Sequence, residues 1–376
     1  MATWRRITGV AGLAAGAVAA GAGAVVAAER IAIGRAQLLR DNSAAENFGG
    51  LRGRALTVLA DDGVPLHVEI DDPAPDAAGG SAASELGAAS PPVTIVFCHG
   101  YTLNQDCWHF QRRDLRGRHR LVFWDQRDHG RSGRSPGGST ASVDQLGADL
   151  GRVIAAVAPG DMPVILVGHS MGGMTIMALA GRQPELFGTK VIGATLISTT
   201  ASGLDRGSPW MPGLARPVLR RALPVVLRGA ATGYRAVLVE QGRRLASDVS
   251  FLSTRFIGFG NPRVNPATVD FLEQMIRETP IEVIAAFSQA LYACDLRGTL
   301  PTLGTVPVVV LAGDKDRLIS PSLGVQLAAE IPGAELDLVP GAGHALILED
   351  PEAVSEAITR LIARAEDGRV ARERSA

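Results

Sequence analysis

The distribution of apolar positions indicates an alternation of strands and helices through most of the chain. Two segments, 55–60 and 65–70, alternate polar and apolar residues around Asp61-Asp62-Gly63, which predicts a β-hairpin. Further on, near-continuous apolar runs alternate with helix-periodic segments such as 143–157 and 352–365. The runs that predict buried strands are 93–98, 121–125, 164–169, 191–198, 306–312 and 335–339. The pattern predicts an α/β fold, with a mostly parallel central sheet flanked by helices.

Residues 199–305 break this alternation and predict an inserted helical cap. Their helical patterns are at 217–227, 233–247, 266–277 and 280–291, and no strand pattern accompanies them. We expect most of the large apolar residues to form the cap core, and as a group they indicate an apolar cleft that excludes water. These residues are Trp210, Met211, Tyr234, Phe251, Phe256, Phe259, Phe271, Met275 and Phe287.

The predicted boundaries divide the chain into a core, the cap and less regular segments. Residues 50–198 and 306–366 form the core, and residues 199–305 form the cap. Residues 71–92 are rich in Ala, Gly, Ser and Pro, which predicts a flexible surface loop. The charged tail 368–376 is predicted to be disordered.

The N-terminal segment 1–28 is apolar and allows three interpretations. Arg5 and Arg6 precede an uncharged stretch from Ile7 to Ala28 that is long enough to cross a bilayer. It is interpreted first as a membrane anchor, then as a signal peptide with small residues before Glu29, and third as an alanine-rich helix packed on the protein. We therefore expect a cell-envelope location, with a cytoplasmic one as the alternative.

The sequence Gly168-His-Ser-Met-Gly172 carries the strongest chemical signal. It follows an apolar strand pattern and precedes a helical one, so Ser170 lies at a sharp turn between strand and helix. Such a turn projects the hydroxyl away from both elements, and the flanking glycines remove side chains that would collide. Ser170 is the candidate nucleophile, and an incidental Gly/Ser turn is the alternative.

A nucleophilic serine requires a base, and only one histidine fits. Of the seven histidines, only His344 lies after Ser170, and this type of turn places its acid and then its histidine after the serine. His344 follows a predicted strand, on the glycine-rich loop 340–343. A surface or packed histidine is the alternative interpretation.

Three aspartates compete for the role of the acid that orients the histidine. The strand 306–312 ends in Gly313-Asp314-Lys315-Asp316, and Asp316 is favoured because it lies further into the loop. Asp314 is expected to cap or brace that loop, and Asp295 is the third candidate.

Negative charge on a substrate oxygen needs two backbone N–H donors. Met171 supplies one because it follows the nucleophile, and Tyr101 supplies the other because it ends the turn after the strand 93–98. His99 in that turn is expected to be structural.

These motifs resemble serine hydrolases of the α/β-hydrolase superfamily. The resemblance spans about residues 55 to 365 and supports Asp316 as the acid. Asp128 stands where relatives usually have glycine, in a loop that is not itself catalytic. The matching stretches are His99-Gly-Tyr101, Asp125-Gln-Arg-Asp-His-Gly-Arg-Ser132, Gly168-His-Ser-Met-Gly-Gly173, Gly313-Asp-Lys-Asp316 and Gly343-His344.

The resemblance implies hydrolysis of a carboxylic ester with an apolar acyl group, since monoglyceride-lipase-like relatives share Gly-His-Ser-Met-Gly-Gly. Thioesters, lactones and C–C bonds remain open, as does a protein of this fold that binds a small molecule or a partner without turnover. Epoxide and haloalkane hydrolases are disfavoured, because they have an aspartate where Ser170 stands.

The composition and the absence of certain motifs argue against nucleic-acid binding and against a cofactor. A formal net charge of −1 over 376 residues gives no electrostatic attraction to nucleic acid. Neither metal-ligand spacing nor a phosphate-binding glycine pattern is present, so no cofactor is expected. The expected partner is a small ester, with membrane association through residues 7–28 and an open oligomeric state. Cys98 is expected to be a small core residue, and a Cys98–Cys107 disulfide remains open.

Overall fold

The structure is a computed structural model that describes residues 46–74, 93–136, 141–202, 204 and 247–373. Eight strands form one mixed sheet in the order β1-β2-β4-β3-β5-β6-β7-β8. β1 and β4 each pair antiparallel with β2, and the remaining pairs are parallel. The strands are β1 Arg54–Leu59, β2 Pro65–Asp71, β3 Thr94–Cys98, β4 Arg120–Trp124, β5 Val164–His169, β6 Val191–Ile197, β7 Val308–Gly313 and β8 Glu335–Val339.

Helices cover both faces of this sheet, which confirms the predicted α/β class. On one face α2 and α3 pack against the sheet, and on the other α1 and α10 do so. The helices are α1 His109–Leu115, α2 Val143–Val157, α3 Met171–Arg182, α4 Ser247–Gly258, α5 Pro266–Glu278, α6 Ile281–Ala293, α7 Leu300–Leu303, α8 Pro321–Glu330, α9 Leu346–Glu349 and α10 Pro351–Glu373.

The central strands are buried along their whole length. Every residue of β3, β5, β6 and β7 is buried, which explains why they are continuous apolar runs in the sequence. Their side chains alternate between two cores: Val96 and Leu166 face α2 and α3, whereas Ile95 and Ile165 face α10. The sheet is therefore a rigid platform whose carboxyl edge can hold a site.

All the regular secondary structure that is described between β6 and β7 is helical. Residues 247–305 contain α4, α5, α6 and α7, and no strand lies in this described range. Pro266 begins α5 directly after Asn265, whose side-chain oxygen accepts the N–H of Ala267 at 2.9 Å and caps the helix. The cap boundaries at 199 and 305 stay a prediction.

Several predictions lie outside the described residues. These are the apolar segment 1–28, the loop residues 75–92, the helix predicted at 217–227 and all of the helix predicted at 233–247 except Ser247. Among the residues that the structure does describe, no helix is both long and apolar enough to cross a membrane.

The prediction for the C-terminal tail is wrong for residues 368–373. Helix α10 continues through Gly368 to Glu373 instead of losing order. The physical reason is composition: Ala, Arg and Glu are good helix formers, and one glycine costs only about 1 kcal/mol in a helix.

The two cysteines in question do not form a disulfide. Cys98 and Cys107 are both buried and free. Cys98 ends β3, where its sulfur lies 3.4 Å from the indole nitrogen of Trp124. Burial raises the pKa of the Cys98 thiol to about 12, so it is an unreactive core residue.

Candidate active site

Ser170 lies at a strained turn between β5 and α3. Its φ of 53° and ψ of −117° place a non-glycine residue in a backbone region that side chains rarely adopt. Two hydrogen bonds hold it there: Ser170 N–H donates to the Ile197 carbonyl at 2.9 Å, and the Ser170 carbonyl accepts the Gly173 N–H at 3.0 Å. The serine hydroxyl is therefore fixed at the carboxyl edge of the sheet.

The motif glycines are required because backbone segments meet closely here. A Cβ atom on Gly172 would lie 2.0 Å from the Cys98 carbonyl oxygen, and one on Gly168 would lie 2.6 Å from the Gly172 carbonyl. Real Cβ atoms do not approach so closely, so any side chain would push α3 away from β3 and β5. The Gly-x-Ser-x-Gly spacing thus lets the start of α3 pack against two strand ends.

The structure brings Ser170, His344 and Asp316 together in one hydrogen-bonded chain. The Nε2 atom of His344 lies 3.1 Å from the Ser170 Oγ, and its Nδ1 lies 2.9 Å from the Asp316 Oδ2. All three side chains are buried. A carboxylate only accepts, so Nδ1 carries a proton and Nε2 offers its lone pair to the serine hydroxyl. Such an arrangement can remove a proton from the serine.

Backbone donors fix the orientation of the Asp316 carboxylate. Its Oδ1 accepts the N–H groups of Leu318 at 2.8 Å and Ile319 at 2.9 Å, which leaves Oδ2 directed at His344. The competing aspartates have other contacts. Asp314 accepts the Gly341 N–H at 2.7 Å and thereby braces the neighbouring loop, whereas Asp295 pairs with Arg297 at the surface.

His169 contributes a contact that sequence reasoning missed. Its Nε2 lies 2.9 Å from the carbonyl oxygen of His344 and donates to it. Burial lowers the pKa of His169 to about 3, so the ring is neutral at ordinary pH. The only signal in the sequence was its place beside Ser170, and nothing local indicated which loop it would contact.

The two predicted backbone donors lie at the ends of adjacent strands. Met171 is the first residue of α3, so its N–H has no carbonyl one turn earlier in the helix. Tyr101 follows β3, and Cys98 at the end of β3 pairs with Gly168 of β5. The turn at Tyr101 closes with a 3.2 Å bond from the Leu103 N–H to the Gly100 carbonyl.

The turn at Tyr101 also contacts the helical segment between β6 and β7. The Tyr101 phenol donates to the carbonyl of Ile284 in α6. The Thr279 hydroxyl, between α5 and α6, donates to the Thr102 carbonyl at 3.0 Å. Because Thr102 has a φ of 63°, these contacts help to hold an unfavourable backbone conformation.

His99 is a structural residue. Its Nε2 accepts the Gln126 N–H at 2.9 Å, and its Nδ1 lies 2.8 Å from the Gly100 carbonyl. Burial lowers its pKa to about 3. With both ring nitrogens hydrogen-bonded, His99 braces the turn, the structural role expected from its position.

The departure at Asp128 has a simple explanation. Its φ is 67°, a conformation that glycine adopts freely and that aspartate tolerates better than most residues. The Asp128 carboxylate accepts both the N–H and the hydroxyl of Ser135 at 2.7 Å. Local hydrogen bonds therefore replace the conformational freedom of glycine in this loop.

The described residues do not contain a cluster of side chains that could form a metal centre. Among them, no group of three or more His, Cys, Asp or Glu side chains is arranged to hold a metal ion.

The fold and the site define an α/β hydrolase. A sequence model of the alpha/beta hydrolase family matches residues 95–357, and the chain belongs to this family. It is 28% identical over 233 residues to a pimeloyl-[acyl-carrier protein] methyl ester esterase of Stenotrophomonas maltophilia, covering 61% of this chain and 80% of that protein.

Solved structures share the fold. An esterase from Rhodococcus has a TM-score of 0.62 at 23% identity and covers 82% of this chain and 98% of its own. An enol-lactonase from Burkholderia xenovorans has a TM-score of 0.59 at 23% identity, and the match covers 82% of this chain and 100% of that one. These likenesses show that the chain has the α/β-hydrolase fold.

Proposed function

We propose that this protein is a serine hydrolase that cleaves carboxylic esters with apolar acyl groups. One observation carries the proposal: the Ser170 hydroxyl, on a strained turn, bonds to His344, and His344 bonds to Asp316. Similarity to methyl ester esterases supports the ester as substrate class.

The mechanism is acyl transfer to water. His344 accepts the Ser170 proton while Oγ attacks the ester carbonyl, and the Tyr101 and Met171 N–H groups bind the developing oxyanion. His344 then gives its proton to the departing alcohol, leaving an acyl group on Ser170. Water attacks this acyl-enzyme by the same route, releasing the acid and restoring the hydroxyl.

Each supporting group has a defined task. Asp316 keeps the proton of His344 on Nδ1 and stabilises the charged ring as it forms. Burial of all three side chains strengthens these interactions, because little water competes for them. The apolar acyl group is proposed from the motif Gly168-His-Ser-Met-Gly-Gly173, which resembles that of monoglyceride-lipase-like relatives.

The test is hydrolysis of a series of aryl and methyl esters from acetyl to dodecanoyl, with Ser170→Ala as the control. We expect turnover that increases with acyl length before it declines, and none with the variant. Parallel assays with thioesters, lactones and C–C substrates identify the bond cleaved. If no substrate is turned over and the protein binds a ligand or partner even as Ser170→Ala, the proposal is contradicted and the protein is a binding protein.

We also propose that residues 7–28 bring the protein to the cell envelope, as an anchor or a cleaved signal. The support is the uncharged stretch after Arg5 and Arg6. Fractionation with N-terminal sequencing tests this: a membrane fraction with the segment intact indicates an anchor, and a processed protein indicates a signal. An unprocessed protein in the cytoplasm contradicts both.

A further inference from the structure

Three consecutive residues, Gly343 to Ala345, have backbone groups that bond to residues outside their own loop. The Gly343 N–H donates to the Glu349 carboxylate at 2.6 Å, and the Ala345 N–H donates to the Gly258 carbonyl at 2.7 Å. Between them, the His344 carbonyl accepts from His169. The position of the His344 ring therefore depends on contacts outside its own loop.

Glu349 makes the densest of these contacts. It ends α9, and its half-buried carboxylate accepts three backbone N–H groups: Gly343 at 2.6 Å, Gly260 at 3.1 Å and Asn261 at 2.5 Å. Hydrogen bonds to a charged acceptor are about twice as strong as neutral ones. One carboxylate thus joins the loop of His344 to the residues that follow α4.

The two joined segments are also in direct backbone contact. A Cβ atom on Gly343 would lie 2.5 Å from the Gly260 nitrogen, so no side chain fits between the segments. The loop of Asp316 contacts the same region, because the Arg317 guanidinium donates to the carbonyls of Phe256 and Phe259, at 2.6 and 2.8 Å. Since Arg317 follows Asp316, the end of α4 contacts the loops of both the acid and the histidine.

We propose that Glu349 is a positioning residue for His344. It fixes the histidine loop against the end of α4 and so keeps Nε2 within hydrogen-bond distance of the Ser170 hydroxyl. The proposal rests on the proposed function, in which His344 is the base. If Glu349 has this role, the site is active only when the end of α4 is packed against the loop of His344.

The test is Glu349→Gln in the full chain. Glutamine keeps the size of the side chain but has no charge. One of its two terminal atoms is an NH2 group, which cannot accept a hydrogen bond from the backbone N–H groups that Glu349 binds. We expect kcat for an ester to fall on the order of 10²-fold, as expected for a misplacement of about 1 Å, with KM nearly unchanged. The matched control is Glu352→Gln, which changes an exposed glutamate at the start of α10 and should leave kcat unchanged.

A spectroscopic readout separates positioning from general destabilisation. The proton between His344 Nδ1 and Asp316 gives a downfield NMR signal, which we expect to weaken in Glu349→Gln and to persist in Glu352→Gln. Glu349→Asp keeps the charge and should recover part of kcat and of the signal. If Glu349→Gln does not fold, Glu349→Asp is measured with the same readouts and should lie between wild type and complete loss.

The outcomes are distinct. Wild type without ester turnover overturns the proposed function, and the proton signal then tests Glu349 by itself. Active wild type with a folded Glu349→Gln variant of unchanged kcat and unchanged signal overturns the positioning role.

Discussion

At the scale of single residues, the site depends on a serine held in a backbone conformation that side chains disfavour. Ser170 keeps its positive φ because β5, β6 and α3 surround it and because glycines at 168 and 172 let those elements approach. The cost of such a conformation, of order 1–3 kcal/mol, is offset by the surrounding packing. The strain serves to present the hydroxyl to His344.

The two aspartates after β7 allow a matched test of which one orients His344. Asp316→Asn keeps the shape but no longer favours a proton on His344 Nδ1, so we expect kcat to fall by about 10⁴-fold, as in other triads. Asp314→Asn is the matched control, because Asp314 bonds to the Gly341 N–H and not to the histidine. We expect a loss below about tenfold, a barrier change under 1.4 kcal/mol. Equal losses in steady-state ester hydrolysis would contradict the assignment.

The sequence predicted the residues of the site better than their supports. His344 followed by elimination, since one histidine alone lies after Ser170, and the strand–turn–helix pattern identified Ser170 itself. The contacts of His169 and Glu349 were not predictable, because they connect loops that are distant along the chain. No periodicity or local motif encodes which carbonyl or N–H such a side chain will meet.

At the scale of elements, prediction succeeded where burial imposes a pattern. β3, β5, β6 and β7 are buried on both faces, so their sequences are apolar throughout and their positions could be read with errors of one or two residues. Helix α4 was missed, because the predicted pattern ended at residue 247 where the helix begins. Its apolar residues Leu252 and Phe256 are one turn apart, a helical spacing that the prediction did not use.

The junction between α5 and α6 has a testable influence on the turn at Tyr101. Thr279→Val keeps the shape but removes the hydroxyl that holds the Thr102 carbonyl, so the Tyr101 N–H is less well oriented. We expect kcat to fall about tenfold, or 1.4 kcal/mol, with little change in KM, since an oxyanion donor acts in the transition state. Affinity for a boronic acid that mimics the tetrahedral intermediate should fall by the same factor.

Thr359→Val is the control for that prediction. The Thr279 hydroxyl also lies 3.2 Å from the Met275 carbonyl one turn earlier. Thr359 makes the same type of bond within a helix, donating to the Ser355 carbonyl, but it lies on α10. It should leave kcat and boronic acid affinity unchanged. If both variants behave like wild type, the junction does not orient the Tyr101 turn.

In the molecule as a whole, the buried Arg127 connects the turn of the hairpin to the parallel part of the fold. Arg127 is 2% exposed and donates to Asp149 of α2 at 2.6 and 2.7 Å and to Asp62 of the hairpin turn at 2.8 Å. The paired geometry offsets the desolvation of Arg127 and Asp149, and loss of Arg127 would leave the buried Asp149 carboxylate without its ionic partner. The antiparallel strands β1 and β2 are thereby joined to the body that carries the site.

Buried neutral histidines make the stability of the molecule depend on pH. Burial lowers the pKa of His129 to about 4, below the value of 6.5 in an unfolded chain. Between pH 7 and 5 the unfolded state therefore binds more protons at this position, and stability falls as pH falls. The contribution of His129 over this interval is about 2 kcal/mol.

A comparison of two pH values isolates that contribution. In His129→Phe, the stability lost between pH 7 and 5, measured by urea unfolding, should be about 2 kcal/mol smaller than in wild type. The cost of the substitution itself cancels in the difference between pH values. An equal loss in both proteins would contradict a neutral, buried His129.

Covalent labelling shows directly whether Ser170 is an activated nucleophile. The full chain is treated with a fluorophosphonate, which reacts with activated serines, and the adduct is located by mass spectrometry alongside Ser170→Ala and His344→Ala. We expect one adduct per chain on the peptide that contains Ser170. The adduct should be absent from Ser170→Ala and much slower to form in His344→Ala. A folded wild-type protein that stays unlabelled, or is labelled at another residue, would contradict this role of Ser170.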